Sequence, residues 1–212
     1  MTIKIRKFIP VAAGMAGGST DAAAVLVGVN RMFDLGFTKK ELMERGVKLG
    51  ADVPYCIMRG TALSEGIGEI LTELPAPPQC HLVIAKPQIS VSTKAVYGKL
   101  RVNELAPEEH PDIDGMMESI KNSDLDGVIG RLGNVLETVT VPDHPEIAEI
   151  KKVMMENGAC GSLMSGSGPT VFGIYKDKEQ AEKACQVLRD ADGGRLTRQV
   201  YLTEFYNRKK AR

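Results

Sequence analysis

Apolar and polar positions along this chain follow two different periods, and the switches between them predict its elements. Ile3 to Ile9 (IKIRKFI) alternates apolar and basic side chains, the period of a half-buried strand, and Pro10 ends it. Ala22, Val25, Leu26, Val29, Met32 and Phe33 then fall on one helical face. Gly36 breaks that helix, and Thr38 with Glu41 forms a capping-box signature for a second one, running toward Leu49 and stopping at Gly50. From Cys56 to Leu74, short apolar segments separated by Gly60, Gly66 and Gly68 predict two or three strands joined by tight turns. His81 to Ala85 (HLVIA) reads as a buried strand. Helical spacing follows at about Thr93 to Leu100, Ile113 to Lys121, Leu125 to Leu136 and Pro145 to Glu156. Past a glycine-rich turn come a strand at Thr170 to Tyr175, a helix at Lys178 to Asp190 and a last strand at Gln199 to Phe205.

Strands and helices in this order predict an α+β fold, an antiparallel sheet covered by helices. The cluster Pro75, Pro77 and Pro78 can continue neither ladder nor helix, which puts a boundary there and predicts two domains, 1–80 and 81–212. A length of 212 residues suits one large domain or two small ones, at roughly 100–200 residues per domain.

Composition narrows the function classes. Lys plus Arg and Asp plus Glu are both 27, so no net positive field points to nucleic acid or to a membrane surface, and an anionic ligand must be met locally. Cys56, Cys80, Cys160 and Cys185 are scattered without a CxxC pair, as in a cytoplasmic protein with reduced thiols. His81, His110 and His144 show no metal-ligand spacing, so no protein-held metal is expected. No apolar run has the length of a membrane span.

Three segments carry candidate chemistry. Pro10 to Ala24 reads PVAAGMAGGSTDAAA, small residues leading directly into a helix. Backbone amides at such a helix start, with the positive end of its dipole and the Ser19 and Thr20 hydroxyls, suit a phosphate. No Lys follows the glycines, so this is not the GxxxxGK[ST] loop, nor is it a GxGxxG fingerprint. The same segment also fits a turn before an Ala-rich helix packed closely on a neighbour. In LGADVPY, Gly50 and Pro54 hold Asp52 on a short loop, with Val53 pushed toward an extended conformation. Asp52 there suits either orienting a hydroxyl that attacks a γ-phosphate or capping a nearby amide. Ser165 to Gly168 (SGSG), between two strand-like segments, suits a second phosphate-facing turn or a plain hairpin connection.

Together and in this order, PVAAGMAGGSTDAAA, GADVP and MSGSGPTVF resemble the GHMP small-molecule kinases, over about Ile3 to Phe205. RGTALSEGIGE and PQISVSTKAVY resemble one branch of that family in particular. The resemblance implies a two-domain architecture, an incomplete N-terminal ATP-binding domain followed by the C-terminal domain, whose last strand would pack back on the first. It also implies transfer of the ATP γ-phosphoryl group, with Mg2+, to the C2 hydroxyl of a cytidine-diphosphate-linked methylerythritol in non-mevalonate isoprenoid biosynthesis. The chain would be a monomer or homodimer acting on a small molecule.

By the same resemblance, Pro10, Val11, Ala12, Ala13, Gly14, Met15, Ala16, Gly17, Gly18, Ser19 and Thr20 wrap the ATP phosphates, and Asp52 takes or orients the hydroxyl proton. Thr93 and Tyr97 line the cytidine pocket, Tyr97 stacking on the base, while Gly166, Ser167 and Gly168 sit near the transferred phosphate. Ala12, Ala13 and Ala16 occupy positions where the family often has glycine. The family's KxNLxL-like motif, whose Lys assists the Asp, and its GYH motif have no counterpart in this sequence, and Lys4 and Lys7 match no catalytic lysine. The implied alternatives are a nucleotide-binding remnant without catalysis, or a kinase for another alcohol such as homoserine or a mevalonate-pathway intermediate.

Overall fold

The computed structural model describes residues 2–10 and 12–206, and these divide into two compact units. Residues 2–10 and 16–76 belong to the first, Ala12–Met15 and Pro77–Tyr206 to the second.

The first unit holds three helices, α1 (Gly17–Met32), α2 (Lys39–Gly46) and α3 (Val53–Met58), followed by the hairpin β1 (Thr61–Glu65) and β2 (Ile70–Leu74). Its small core consists of Ala23, Leu42, Val53 and Ile57, with Leu26 and Phe37 packed on them. The capping box forms as the sequence predicts. Thr38 Oγ1 accepts from Glu41 N at 3.2 Å and Glu41 Oε2 accepts from Thr38 N at 2.8 Å, which holds the Glu41 carboxyl below its usual range. The Asn30 side chain ties down the α1–α2 connection, donating to Phe37 O at 2.9 Å and accepting from Phe37 N at 3.0 Å.

Two expectations for this unit fail. Residues 2–9 form no strand, and Ile3, Ile5 and Phe8 are 51%, 56% and 85% exposed. Alternation makes a segment compatible with a sheet, but a ladder needs a partner, and among the described residues no strand lies alongside. Cys56–Met58, expected to begin the strands, closes helix α3 instead. A short apolar run such as VPYCIM is ambiguous by period alone. Here Pro54, in the first turn, fixes a helical φ where no N–H is needed, and Val53 is the first helical residue rather than extended. Gly46 makes room for it, since a Cβ on Gly46 would lie 2.8 Å from Val53 Cγ1.

The second unit is an antiparallel sheet of β3 (His81–Pro87), β4 (Gly161–Met164), β5 (Val171–Tyr175) and β6 (Thr197–Glu204), in the order β4-β5-β3-β6. The register sets Val83 opposite Gly173 on one side and Leu202 on the other. Its helices are α4 (Thr93–Lys99), α5 (Ile113–Lys121), α6 (Leu125–Gly130), α7 (Glu137–Asp143), α8 (Pro145–Glu156) and α9 (Lys178–Asp190).

Ile147, Ile150 and Met154 of α8 and Ala181, Ala184 and Leu188 of α9 are fully buried, each set one helical face, against Val83, Ala85, Val171 and Tyr175. Leu82 and Ile174 point to the opposite face, where Leu125, Ile129 and Leu132 cover them. Helices on both faces of an antiparallel sheet give the predicted α+β class. The helix expected over Leu125 to Leu136 stops at Gly130, where the chain leaves it through Gly133, and α7, which begins at Glu137, is a helix that the spacing did not predict. Among the described residues no helix is long and apolar enough to cross a membrane.

Candidate functional site

The glycine run is divided between the units. Gly17, Gly18, Ser19 and Thr20 form the first turn of α1, a turn earlier than the apolar spacing suggests, so part of the predicted loop is helix. The amides of Gly17, Gly18 and Ser19 precede the first intrahelical bond, Thr20 N to Ala16 O at 2.8 Å. Ala16 at the N-cap supplies no side-chain cap, and no acidic residue lies in that turn, so the helix end keeps its positive character. Asp21 in the next turn pairs with Lys7. Thr20 Oγ1 donates to Ala16 O at 3.0 Å and lies 3.5 Å from Cys56 Sγ, so its hydroxyl serves the helix itself.

Asp52 belongs to the loop that lies beside this helix end. It is the N-cap residue of α3, exposed, and its carboxylate makes no capping bond, which leaves the capping alternative without support. The turn that carries it is closed by Val53 N to Gly50 O at 3.1 Å. A Cβ on Gly50 would lie 3.9 Å from Ser19 Oγ, which brings the Asp52 loop against the first turn of α1. From the other side the β1–β2 turn supports it, a Cβ on Gly68 falling 3.4 Å from Ala51 O. Burial pushes the Cys56 thiol above its ordinary pKa, opposed by the Thr20 hydrogen bond and reinforced by the nearby Asp52 carboxylate.

In the second unit, Ala12–Met15 packs on the turn between β4 and β5. Ser165 Oγ donates to Gly14 O at 2.8 Å, and Gly14 takes φ +69°. Ala12 and Ala16 are also left-handed, at φ 51° and 48°, a conformation costing an L-residue about 1–2 kcal/mol. The alanines at these glycine-favoured positions are therefore strained. Ala13 is buried and Met15 half-buried, Pro10 in the first unit is half-buried, and Val11 lies outside the described residues.

In the turn itself Gly166 and Gly168 take φ 55° and 85°, and the buried Ser167 hydroxyl meets the Thr93 hydroxyl at 2.8 Å. The structure thus joins two residues that the sequence assigns to different subsites. Thr93 opens α4, capped by Ser92, and Tyr97 stands one turn along the same face, 60% exposed. Asn134, Glu137 and Thr140, which hold the turn, went unrecognised in the sequence. The signal for them was the Gly133-Asn134 break inside an otherwise helical pattern.

Among the described residues no three His, Cys, Asp or Glu side chains converge as metal ligands. Ser19, with its hydroxyl at the helix end, is the residue suited to meet a magnesium ion that arrives on nucleotide phosphates.

The family models for the GHMP kinases N terminal domain and the GHMP kinases C terminal region match residues 1–60 and 106–192. A relative in Lachnospira eligens, named 4-diphosphocytidyl-2-C-methyl-D-erythritol kinase, is 57% identical over 204 residues, 96% of this chain and 69% of the relative. One of the same name in Lachnoclostridium phytofermentans is 51% identical over 207 residues, 98% of this chain and 69% of the relative. Among solved structures, a 4-(cytidine 5'-diphospho)-2C-methyl-D-erythritol kinase superposes with TM-score 0.75 at 29% identity, covering 94% of this chain and 68% of that one. A homoserine kinase from Cytophaga hutchinsonii also superposes at 0.75, but at 20% identity, over 94% of this chain and 67% of that one, a likeness of fold alone. The chain belongs to the GHMP kinase family.

Proposed function

We propose that this chain transfers the γ-phosphoryl group of ATP to the C2 hydroxyl of 4-diphosphocytidyl-2-C-methyl-D-erythritol. The observation that carries the chemistry is the Asp52 carboxylate, uncommitted as a cap and seated on a loop against Ser19 in the first turn of α1. Phosphoryl transfer needs positioning and charge stabilisation more than covalent participation. The α1 amides and the Ala12–Thr20 segment hold the donor phosphates, and Asp52 orients the acceptor hydroxyl and takes its proton. Gly166, Ser167 and Gly168 face the transferred group. Thr93 and Tyr97 bind the cytidine end, where the exposed Tyr97 ring offers a stacking face. Magnesium, bound with the nucleotide, offsets phosphate charge. The substrate assignment draws its support from the names of relatives at 51–57% identity.

A panel of acceptors with radiolabelled ATP tests it, using the chain alone and the chain joined to the part of the Lachnospira eligens relative that lies outside the match. The expected result is label transfer to the cytidine-linked acceptor and none to homoserine or mevalonate. Preference for an acceptor without cytidine overturns the substrate assignment. Nucleotide binding without transfer to any acceptor in both forms points to a remnant instead.

A further inference from the structure

The turn at Ser165–Gly168 is held by two side chains that lie in none of the sequence motifs. Asn134, in the break between α6 and α7, donates from Nδ2 to Met164 O at 2.9 Å and to Gly166 O at 2.8 Å, and its Oδ1 accepts from Leu136 N at 3.0 Å. Glu137, the first residue of α7, accepts from Met164 N at 2.7 Å and pairs through its other oxygen with Lys151 at 2.6 Å. Met164 is the last residue of β4, so both of its backbone polar groups are taken by side chains where the turn begins. Thr140 of α7 adds a bond to Ser167 O at 3.3 Å.

The consequence follows from peptide planarity. In a trans peptide the C=O and the following N–H point in opposite directions. Pinning the Met164 carbonyl to Asn134 therefore turns Ser165 N–H away from it, and that amide donates to Thr170 O at 2.8 Å. Pinning the Gly166 carbonyl likewise aims Ser167 N–H away from Asn134. The oriented Ser165 in turn holds Gly14 O through its hydroxyl. One amide side chain thus sets both the turn and its grip on the glycine loop.

We propose that Asn134 and Glu137 are positioning residues for the terminal phosphate of the nucleotide, acting through the Ser165–Gly168 turn and touching no substrate themselves. This rests on the phosphate-facing reading of that turn given above. Asn134→Asp keeps the shape and the acceptor for Leu136 N but loses both donors and sets a charge against two carbonyls.

The test is calorimetric affinity of the chain for a non-hydrolysable ATP analogue and for ADP, which lacks the terminal phosphate. The expected result is a loss of about tenfold or more for the analogue and under about twofold for ADP. A merely structural role lowers the melting temperature and the active fraction but leaves the ratio of the two affinities unchanged, and that result overturns the inference. Should Asn134→Asp fail to fold, the pair Glu137→Ala and Glu137→Gln decides. The ratio falls in the first and returns in the second, whose amide oxygen still accepts from Met164 N, whereas equal ratios overturn the inference. If the wild type shows no terminal-phosphate preference at all, the phosphate reading fails and takes the inference with it. A wild-type preference that persists in every variant overturns the inference alone.

Discussion

Asp52→Asn is expected to lower turnover by about 10²–10⁴-fold, the usual contribution of a positioned general base, while nucleotide affinity stays within about twofold of wild type. In transition-state terms the loss is about 3–5 kcal/mol. The near-isosteric amide keeps the turn closed by Val53 N and Gly50 O, because the Asp52 side chain makes no capping bond that the fold relies on. It retains an acceptor for the substrate hydroxyl but cannot take its proton. Steady-state kinetics beside isothermal calorimetry measures both quantities. Undiminished turnover would remove Asp52 from the reaction, and loss of nucleotide affinity in step with turnover would make it a binding residue.

Gly14→Ala acts within the second unit. An added Cβ would lie 2.3 Å from Ser165 O, 3.0 Å from Gly168 O and 3.3 Å from Gly168 N, all backbone atoms, so no side chain can swing aside. The left-handed φ of +69° adds a conformational cost of about 1–2 kcal/mol. The loop and the turn must separate, breaking the Ser165 bond to Gly14 O. The expected outcome is at least a tenfold loss of ATP affinity and a melting temperature lower by roughly 4–8 °C, for a destabilisation of about 2 kcal/mol. Gly18→Ala is the internal control. Gly18 is helical, with nothing within 4 Å of an added Cβ, and the melting temperature should not fall but rise by up to about 1–4 °C. If Gly14→Ala melts and binds as the wild type does, the loop is not built on this turn.

Much of the fold is legible along the chain because local rules and tertiary packing agree. Thr38 and Glu41 specify a helix start by their own hydrogen bonds, and the apolar stripes of α5, α8 and α9 match the faces they bury. Reading fails where the deciding atoms are distant in sequence. IKIRKFI has the period of a strand, but a period does not supply a neighbour. VPYCIM is helical because Val53 fits against Gly46, a contact between separate elements.

The same distinction holds for the site. Gly14 and Ser165 are 151 residues apart, and Thr93 meets Ser167 across 74, so spacing could not reveal either pair. Asn134 carries no motif at all, and its role appears only once β4 ends beside it. What the glycine run does foretell is a helix start with open first-turn amides, since small residues there leave the backbone uncovered wherever that helix later packs.

The most direct measurement is 31P and 13C NMR of the product formed from ATP and 4-diphosphocytidyl-2-C-methyl-D-erythritol. The expected spectrum shows one new phosphomonoester, its phosphorus coupled to the C2 carbon of the methylerythritol, in equal amount to the ADP released. ADP released without that signal, or a phosphomonoester on any other carbon, would contradict the proposed reaction.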